Sequence, residues 1–307
     1  MAESRRYTGR FAPSPSGHLH FGSLIAALAS YLDAKASQGT WLVRMEDIDT
    51  PRCVPGMDTA ILNALECHGL HWDGEVMYQS RQHARYQQTI EDLLTSGRAY
   101  YCRCTRKQVK AAGGVYPGTC RHLQLGPSNA ALRVRLPVQV TAFDDEILGH
   151  QSLSSPAGSL PPLEDTIVHR RDGLYAYNLV VVMDDIAQQV THIVRGSDLL
   201  PTTLTHLNMY ALLDAPPPAY AHVPVASVAP GRKLSKQNHA APLDTSVPAD
   251  NLIRALRFLG QQVEDGWQGL SPETLLHHAA DGWDRKKVAK QPEIIVDQHE
   301  STYYSGP

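Results

Sequence analysis

The chain has no long apolar run. No segment approaches the ~20 apolar residues that a membrane-spanning helix needs. Met1-Ala-Glu-Ser-Arg-Arg leads into no apolar core of a secretion signal, so the cytoplasm is the expected compartment. An excess of one charge is missing too. The 28 Lys and Arg against 31 Asp and Glu leave a net charge of −3, so any binding of nucleic acid must rest on a local basic face. Cysteine is scarce and odd in number: Cys53, Cys67, Cys102, Cys104 and Cys120. Without a secretion signal this argues against a disulfide framework, and the isolated Cys53 and Cys67 read as packed or surface thiols. There is no internal repeat. The apolar share of 42% and charged share of 19% lie below the ~45–50% and ~25% of ordinary globular domains, without a bias toward disorder or fibre. A length of 307 residues allows one large or two modest domains with a substantial core.

What is present has an ordered pattern. Residues 7–12 are extended and end in a Pro/Ser/Gly loop, and residues 23–35 carry apolar side chains at helical spacing. A strand over 40–45 and helices near 57–68 and 81–96 complete a β-α-β-α series, which favours a parallel sheet with ligands at the carboxyl ends of its strands. From residue 100 to about 173 helical periodicity is lost. Pro and Gly accumulate there, and Leu132-Arg-Val-Arg-Leu136 alternates like an antiparallel strand. The α/β pattern resumes with strand-like Leu179-Val-Val-Val-Met183, a strand over 190–195 and a helix over 198–213, which Pro216-Pro-Pro218 ends. The expected organisation is a catalytic α/β domain in two halves, 1–99 and 174–240, split by an inserted subdomain at 100–173. A small helical region at 241–291 and a loose tail at 292–307 follow.

Two short segments carry the chemistry. The first is Phe11-Ala-Pro-Ser-Pro-Ser-Gly-His-Leu-His-Phe-Gly-Ser23, where an extended loop gives way to a helix. A helix N-terminus offers unpaired N–H groups and partial positive charge to phosphates. Gly17 and Gly22 permit close backbone approach, and an imidazole there can donate to a phosphate oxygen as charge develops. The second is Lys233-Leu-Ser-Lys-Gln237, whose Lys236 lies 216 residues after His20 (236 − 20). Two ammonium groups on flexible stems can follow a pyrophosphate through a transition state.

These segments resemble the "HIGH" and "KMSKS" signatures of class I aminoacyl-tRNA synthetases, and Ala-Pro-Ser-Pro-Ser-Gly is close to the glutamyl/glutaminyl branch. His222-Val-Pro224 precedes the lysine loop, as a His-x-Pro segment does in that family. Ser23 and Gln237 depart from the usual final His and Ser. The resemblance runs from residue 6 to about 240 and implies a Rossmann-type catalytic domain. It implies ATP contacts at Pro13, His20, Gly22, Ser23, Lys233, Ser235 and Lys236, with His20, Lys233 and Lys236 catalytic. Glutamate has two carboxylates and one ammonium, so its pocket should hold two cationic forks and one anion. Arg10, Glu46 in Arg44-Met-Glu-Asp-Ile-Asp-Thr-Pro-Arg52, and Arg195 in Val194-Arg-Gly-Ser-Asp198 each fall near the end of a predicted strand. They match substrate-binding positions of glutamyl synthetases, as do Phe11, Ala12, Pro13, Ser14 and Tyr177. Glutamine is the competing substrate, and two arginines favour the acid.

The insertion contains Cys102-Arg-Cys104, Tyr116 and Cys120. Three thiolates can hold one structural Zn²⁺ and stabilise a subdomain with little core of its own. By chemistry alone the fourth ligand is His122, because imidazole binds zinc far more often than phenol. The spacing resembles the zinc-binding insertion of shortened glutamyl synthetases, where a tyrosine is the ligand, so Tyr116 is the expected fourth ligand and His122 the alternative. Seventy residues follow Gln237 (307 − 237), too few for the anticodon-binding domains such synthetases usually carry. With the zinc insertion, this resembles the shortened branch that glutamylates queuosine. The partners then implied are ATP with Mg²⁺, L-glutamate and tRNA(Asp) carrying queuosine, with no membrane, and a monomer is expected. A truncated synthetase charging a tRNA 3′ end, a small nucleotidylyltransferase and a non-catalytic tRNA-binding paralogue are the competing readings.

Overall fold

The computed structural model describes residues 6–154, 160–234 and 241–296. Strand β1 (Thr8–Phe11) leads through the first signature loop into α1 (Phe21–Ala36). That helix is rich in Ala and Leu and is capped by His20, whose Nδ1 accepts the Ser23 N–H at 3.3 Å. It is buried along most of its length and packs beneath the sheet. Next come β2 (Thr40–Met45), α2 (Met57–Cys67), β3 (Met77–Tyr78) and α3 (His83–Thr95). Strands β1, β2 and β3 are parallel neighbours.

The next segment is antiparallel. It comprises β4 (Ala99–Cys102), α4 (Arg106–Ala111), β5 (Ala131–Val134), the hairpin β6 (Ala142–Asp145) and β7 (Gly149–Ser152), and β8 (Ile167–His169). The order β4-β5-β8 forms one sheet and β6-β7 another. A capping box between Thr105 and Gln108 starts α4.

The chain then returns through α5 (Tyr177–Ala187), β9 (His192–Gly196), α6 (Thr203–Leu212) and β10 (Ala219–Val223). β9 and β10 are parallel. The Thr191 N–H donates to the Thr8 carbonyl at 2.9 Å and the Thr8 N–H to Thr191 Oγ1 at 2.8 Å, which sets β9 against β1. From β1 the chain passes to β2 on one side, while β9 passes to β10 on the other. That reversal opens a crevice at the carboxyl ends of β1 and β9. β11 (Val225–Ala229) and β12 (Arg232–Lys233) follow, then α7 (Pro248–Phe258), α8 (Pro272–Asp281) and β13 (Glu293–Ile295). No described helix is long and apolar enough to cross a membrane.

Two expectations need correction. Leu179-Val-Val-Val-Met183 is helix, not strand. It lies inside α5, whose residues 179–185 are all buried. A helix buried on all sides has no polar stripe to reveal its period, and β-branched content then misleads. Residues 293–295 are not loose tail either, because they pair in parallel with β11. Three residues are too few to show a period, and this pairing is tertiary. Ser235, Lys236 and Gln237 lie outside the described residues, as do residues 297–307.

Candidate active site

The crevice opens into a cavity of about 970 Å³. Its floor is built from the strand ends. β1 contributes Arg10, β2 ends one residue before Glu46, β9 contributes Arg195, and Tyr177 opens α5. Backbone bonds fasten the signature loop over this floor: Glu46 N–H donates to the Pro13 carbonyl and Val54 N–H to the Pro15 carbonyl, each at 2.9 Å.

Arg10 and Arg195 are both 4% exposed but are held differently. Arg10 Nε donates to Asp185 Oδ1 at 3.1 Å, and Arg44 Nη1 meets the same oxygen at 2.9 Å. Burial works against ionisation of Asp185, yet the two guanidiniums hold its carboxyl below the usual range. Arg44 also lies 3.7 Å from Glu46. Burial pushes the Glu46 carboxyl up to about 7, against the pull of Arg44 and Arg10. Burial and the nearby Glu46 push the Tyr177 hydroxyl up to about 12, so it remains a hydrogen-bond donor. Next door, Asp184 accepts from Gln79 Nε2 at 2.9 Å and from the Tyr86 hydroxyl at 2.8 Å. The cavity therefore sits on a buried ionic network.

At the other end, His20 caps α1, and Lys233 Nζ donates to Asp198 Oδ2 at 2.6 Å. A Cβ on Gly22 would lie 3.1 Å from the His20 ring and 3.3 Å from the Leu234 carbonyl, so the lack of one lets the lysine segment approach the helix terminus.

The sulfurs of Cys102, Cys104 and Cys120 lie within 4.8 Å of one another, with Cys104 and Cys120 3.6 Å apart. A tetrahedral ion with ~2.3 Å Zn–S bonds sets its sulfurs ~3.8 Å apart, so the spacing fits. The buried Tyr116 hydroxyl accepts the Cys120 N–H at 2.8 Å. Although burial opposes it, Tyr116 and Arg133 hold Cys102 below the usual thiol range. Burial and the neighbouring thiols push Cys104 up to about 11. A bound cation would relieve such crowding of sulfurs. His122 is exposed, and its ring nitrogens do not join the sulfur group.

The family model for the catalytic domain of class I tRNA synthetases (E and Q) matches residues 7–271. The chain belongs to this family. It is therefore a ligase of the aminoacyl-tRNA synthetase type. It is 49% identical over 305 residues to the glutamyl-Q tRNA(Asp) synthetase of Serratia proteamaculans, covering 99% of both chains. It is 52% identical over 291 residues to the protein of that name from Escherichia coli K12, covering 95% of this chain and 92% of the relative. A glutamate tRNA ligase from Elizabethkingia meningosepticum, solved with its amino acid, superimposes with a TM-score of 0.76 at 24% identity. The match spans 96% of this chain and 68% of that one, and shows the class I synthetase fold.

In this synthetase Arg10, Phe11, Ala12, Pro13, Ser14, His20, Gly22, Ser23, Glu46, Tyr177, Arg195 and Lys233 all line the one cavity. Arg52 and Asp198 line it as well, without a role expected from the sequence. Asp184 and Asp185, which hold Arg44 and Arg10 from beneath, carried no expectation from the sequence. Their signal was two adjacent acids inside an otherwise apolar run.

Proposed function

We propose that this class I synthetase activates L-glutamate with ATP without tRNA, and then transfers it to the cyclopentenediol of queuosine in tRNA(Asp). The observation that carries the first half is the gathering of two buried arginines, Glu46 and Tyr177 beside a helix terminus flanked by His20 and Lys233. The acceptor half is supported by the names of relatives about half identical over nearly their full length.

Arg10 and Arg195 receive the two carboxylates and ionised Glu46 receives the ammonium. ATP enters with Mg²⁺ as counter-ion, its phosphates at the start of α1. An oxygen of the α-carboxylate attacks the α-phosphorus and the bond to the β-phosphate oxygen breaks. His20, Lys233 and Lys236 stabilise the departing pyrophosphate. Lys233 must leave Asp198 to do so. A queuosine hydroxyl then attacks the adenylate carbonyl, an ester forms, and AMP leaves with its phosphate as proton acceptor. Cys102, Cys104, Cys120 and Tyr116 hold a structural zinc that stiffens the insertion. The proposed state is a monomer and the proposed compartment the cytoplasm.

The test is ATP–pyrophosphate exchange by the purified protein without RNA. Glutamate should support exchange and glutamine should not. Exchange supported equally by both, or absent until tRNA is added, would contradict the activation half.

A further inference from the structure

The two arginines of the cavity differ in what holds them. Arg10 rests directly on the carboxylate of Asp185. Arg195 rests on neutral groups alone. Its Nε donates to His222 Nε2 at 3.0 Å, and its Nη1 faces His206 Nδ1 at 3.5 Å. Its Nη2 donates to the Leu199 carbonyl at 3.1 Å and to Thr203 Oγ1 at 2.9 Å. Among the described residues no carboxylate lies within the 4.0 Å that defines an ion pair with Arg195.

Both imidazoles are oriented from behind. His222 Nδ1 donates to Asp145 Oδ2 at 2.6 Å, which leaves the Nε2 lone pair to face the guanidinium. His206 Nε2 donates to Asn178 Oδ1 at 3.0 Å, leaving its Nδ1 lone pair toward Arg195. Asp145 is itself pinned, its Oδ1 accepting the N–H groups of Ile147 at 3.0 Å and Leu148 at 2.8 Å. It stands at the end of β6, outside the catalytic sheet. His222 and Asp145 are both fully buried in their side chains, so the arrangement is shielded from water.

We propose that Asp145 and His222 are positioning residues for amino-acid selection, fixing Arg195 through a neutral acceptor so that its positive charge remains available to a carboxylate of the substrate. This deepens the proposed function and rests on it. A carboxylate placed directly on Arg195, as Asp185 is on Arg10, would fix the fork equally well. It would also neutralise the charge that separates an acid from its amide. One imidazole between them keeps the orientation and moves the anion a ring's width away. Leaving a cation buried without a counter-ion is costly, and a bound carboxylate recovers that cost where an amide does not.

Asp145→Asn tests this with almost no change of shape. The amide keeps an oxygen for Ile147 and Leu148 but turns an N–H₂ toward His222, reversing its tautomer and setting an N–H against Arg195 Nε–H, as in tautomer reversal by the corresponding change in serine proteases. The expected result in pyrophosphate exchange is a rise of about ten- to hundredfold in the KM for glutamate. The KM for ATP should be unchanged and the preference for glutamate over glutamine reduced. Asp144→Asn, on the exposed neighbour paired with His150, should leave all three unchanged. His222→Gln supplies an amide oxygen to Arg195 without help from Asp145. It should hold the glutamate KM within about threefold, and adding Asp145→Asn to it should cost nothing further.

A readout independent of catalysis is ¹⁵N NMR of labelled histidine, with His222 assigned through His222→Gln. It should show the Nδ1–H tautomer in the wild type and Nε2–H in Asp145→Asn. Imidazolium or Nε2–H in the wild type near pH 7 would overturn the proposal whatever the activity. So would an unchanged glutamate KM in Asp145→Asn, or parallel losses for glutamate and ATP with a lowered Tm. Wild-type exchange driven by an amino acid other than glutamate would overturn the proposed function itself.

Discussion

At the scale of residues, the cavity depends on how its charges are compensated. Glu46 is the sensitive one, because burial holds its carboxyl near 7 even with Arg44 and Arg10 close by. The ionised form is the one that accepts an ammonium. A carboxyl raised to about 7 is protonated below that pH and ionised above it. The kcat/KM for glutamate should therefore fall about tenfold for each pH unit below about 7 and level off above it, as pyrophosphate exchange across that range would show. Glu46→Gln should remove this acidic limb and raise the glutamate KM by at least about tenfold. An unchanged limb in that variant would assign the titration elsewhere. The positions of Arg10, Glu46 and Arg195 near strand ends were legible from the alternation of strand and helix. The Asp185 and Asp145–His222 supports were not. Neither aspartate lies near its partner in sequence, since Asp185 is 175 residues from Arg10 and Asp145 is 77 from His222.

At the scale of elements, α1 is the part the sequence made plainest, because its apolar spacing and the preceding loop agree. α5 shows the opposite case. Its residues 179–183 are apolar throughout, so periodicity cannot separate a buried helix from a buried strand. β13 was illegible for a third reason, being a three-residue strand created by pairing with β11. The start of α1 has a requirement that its helical role alone does not explain. Alanine inside a helix is favoured over glycine by roughly 0.5–1 kcal/mol, and some of that gain extends to the helix start, yet a Cβ at Gly22 would press on the His20 ring and the Leu234 carbonyl. Gly22→Ala should therefore leave Tm unchanged or slightly raised while slowing exchange about tenfold or more, through displacement of the lysine segment. Full activity in that variant would show that this close approach is dispensable.

At the scale of the whole molecule, the parts are tied across long sequence separations. Asp33 of α1, 1% exposed, accepts from Tyr7, from Trp283 Nε1 at 2.8 Å and from Arg285 Nη2 at 2.8 Å. Arg285 also reaches Glu146 at 2.7 Å, one residue past β6. The segment after α8, helix α1 and the turn between β6 and β7 thus meet at one ionic clasp. Next to it, Asp145 at the end of β6 joins the same turn to the cavity through His222. The β6–β7 hairpin, the parallel strands and the segment after α8 are in this way tied together beside one cavity. The cavity is proposed to activate glutamate and deliver it to a modified nucleoside. The most direct measurement offers the protein labelled glutamate and ATP with tRNA(Asp) containing queuosine, unmodified tRNA(Asp) and tRNA(Glu). Label on the queuosine-containing tRNA(Asp) alone is the predicted result, and label on tRNA(Glu), or equal label on both forms of tRNA(Asp), would contradict it.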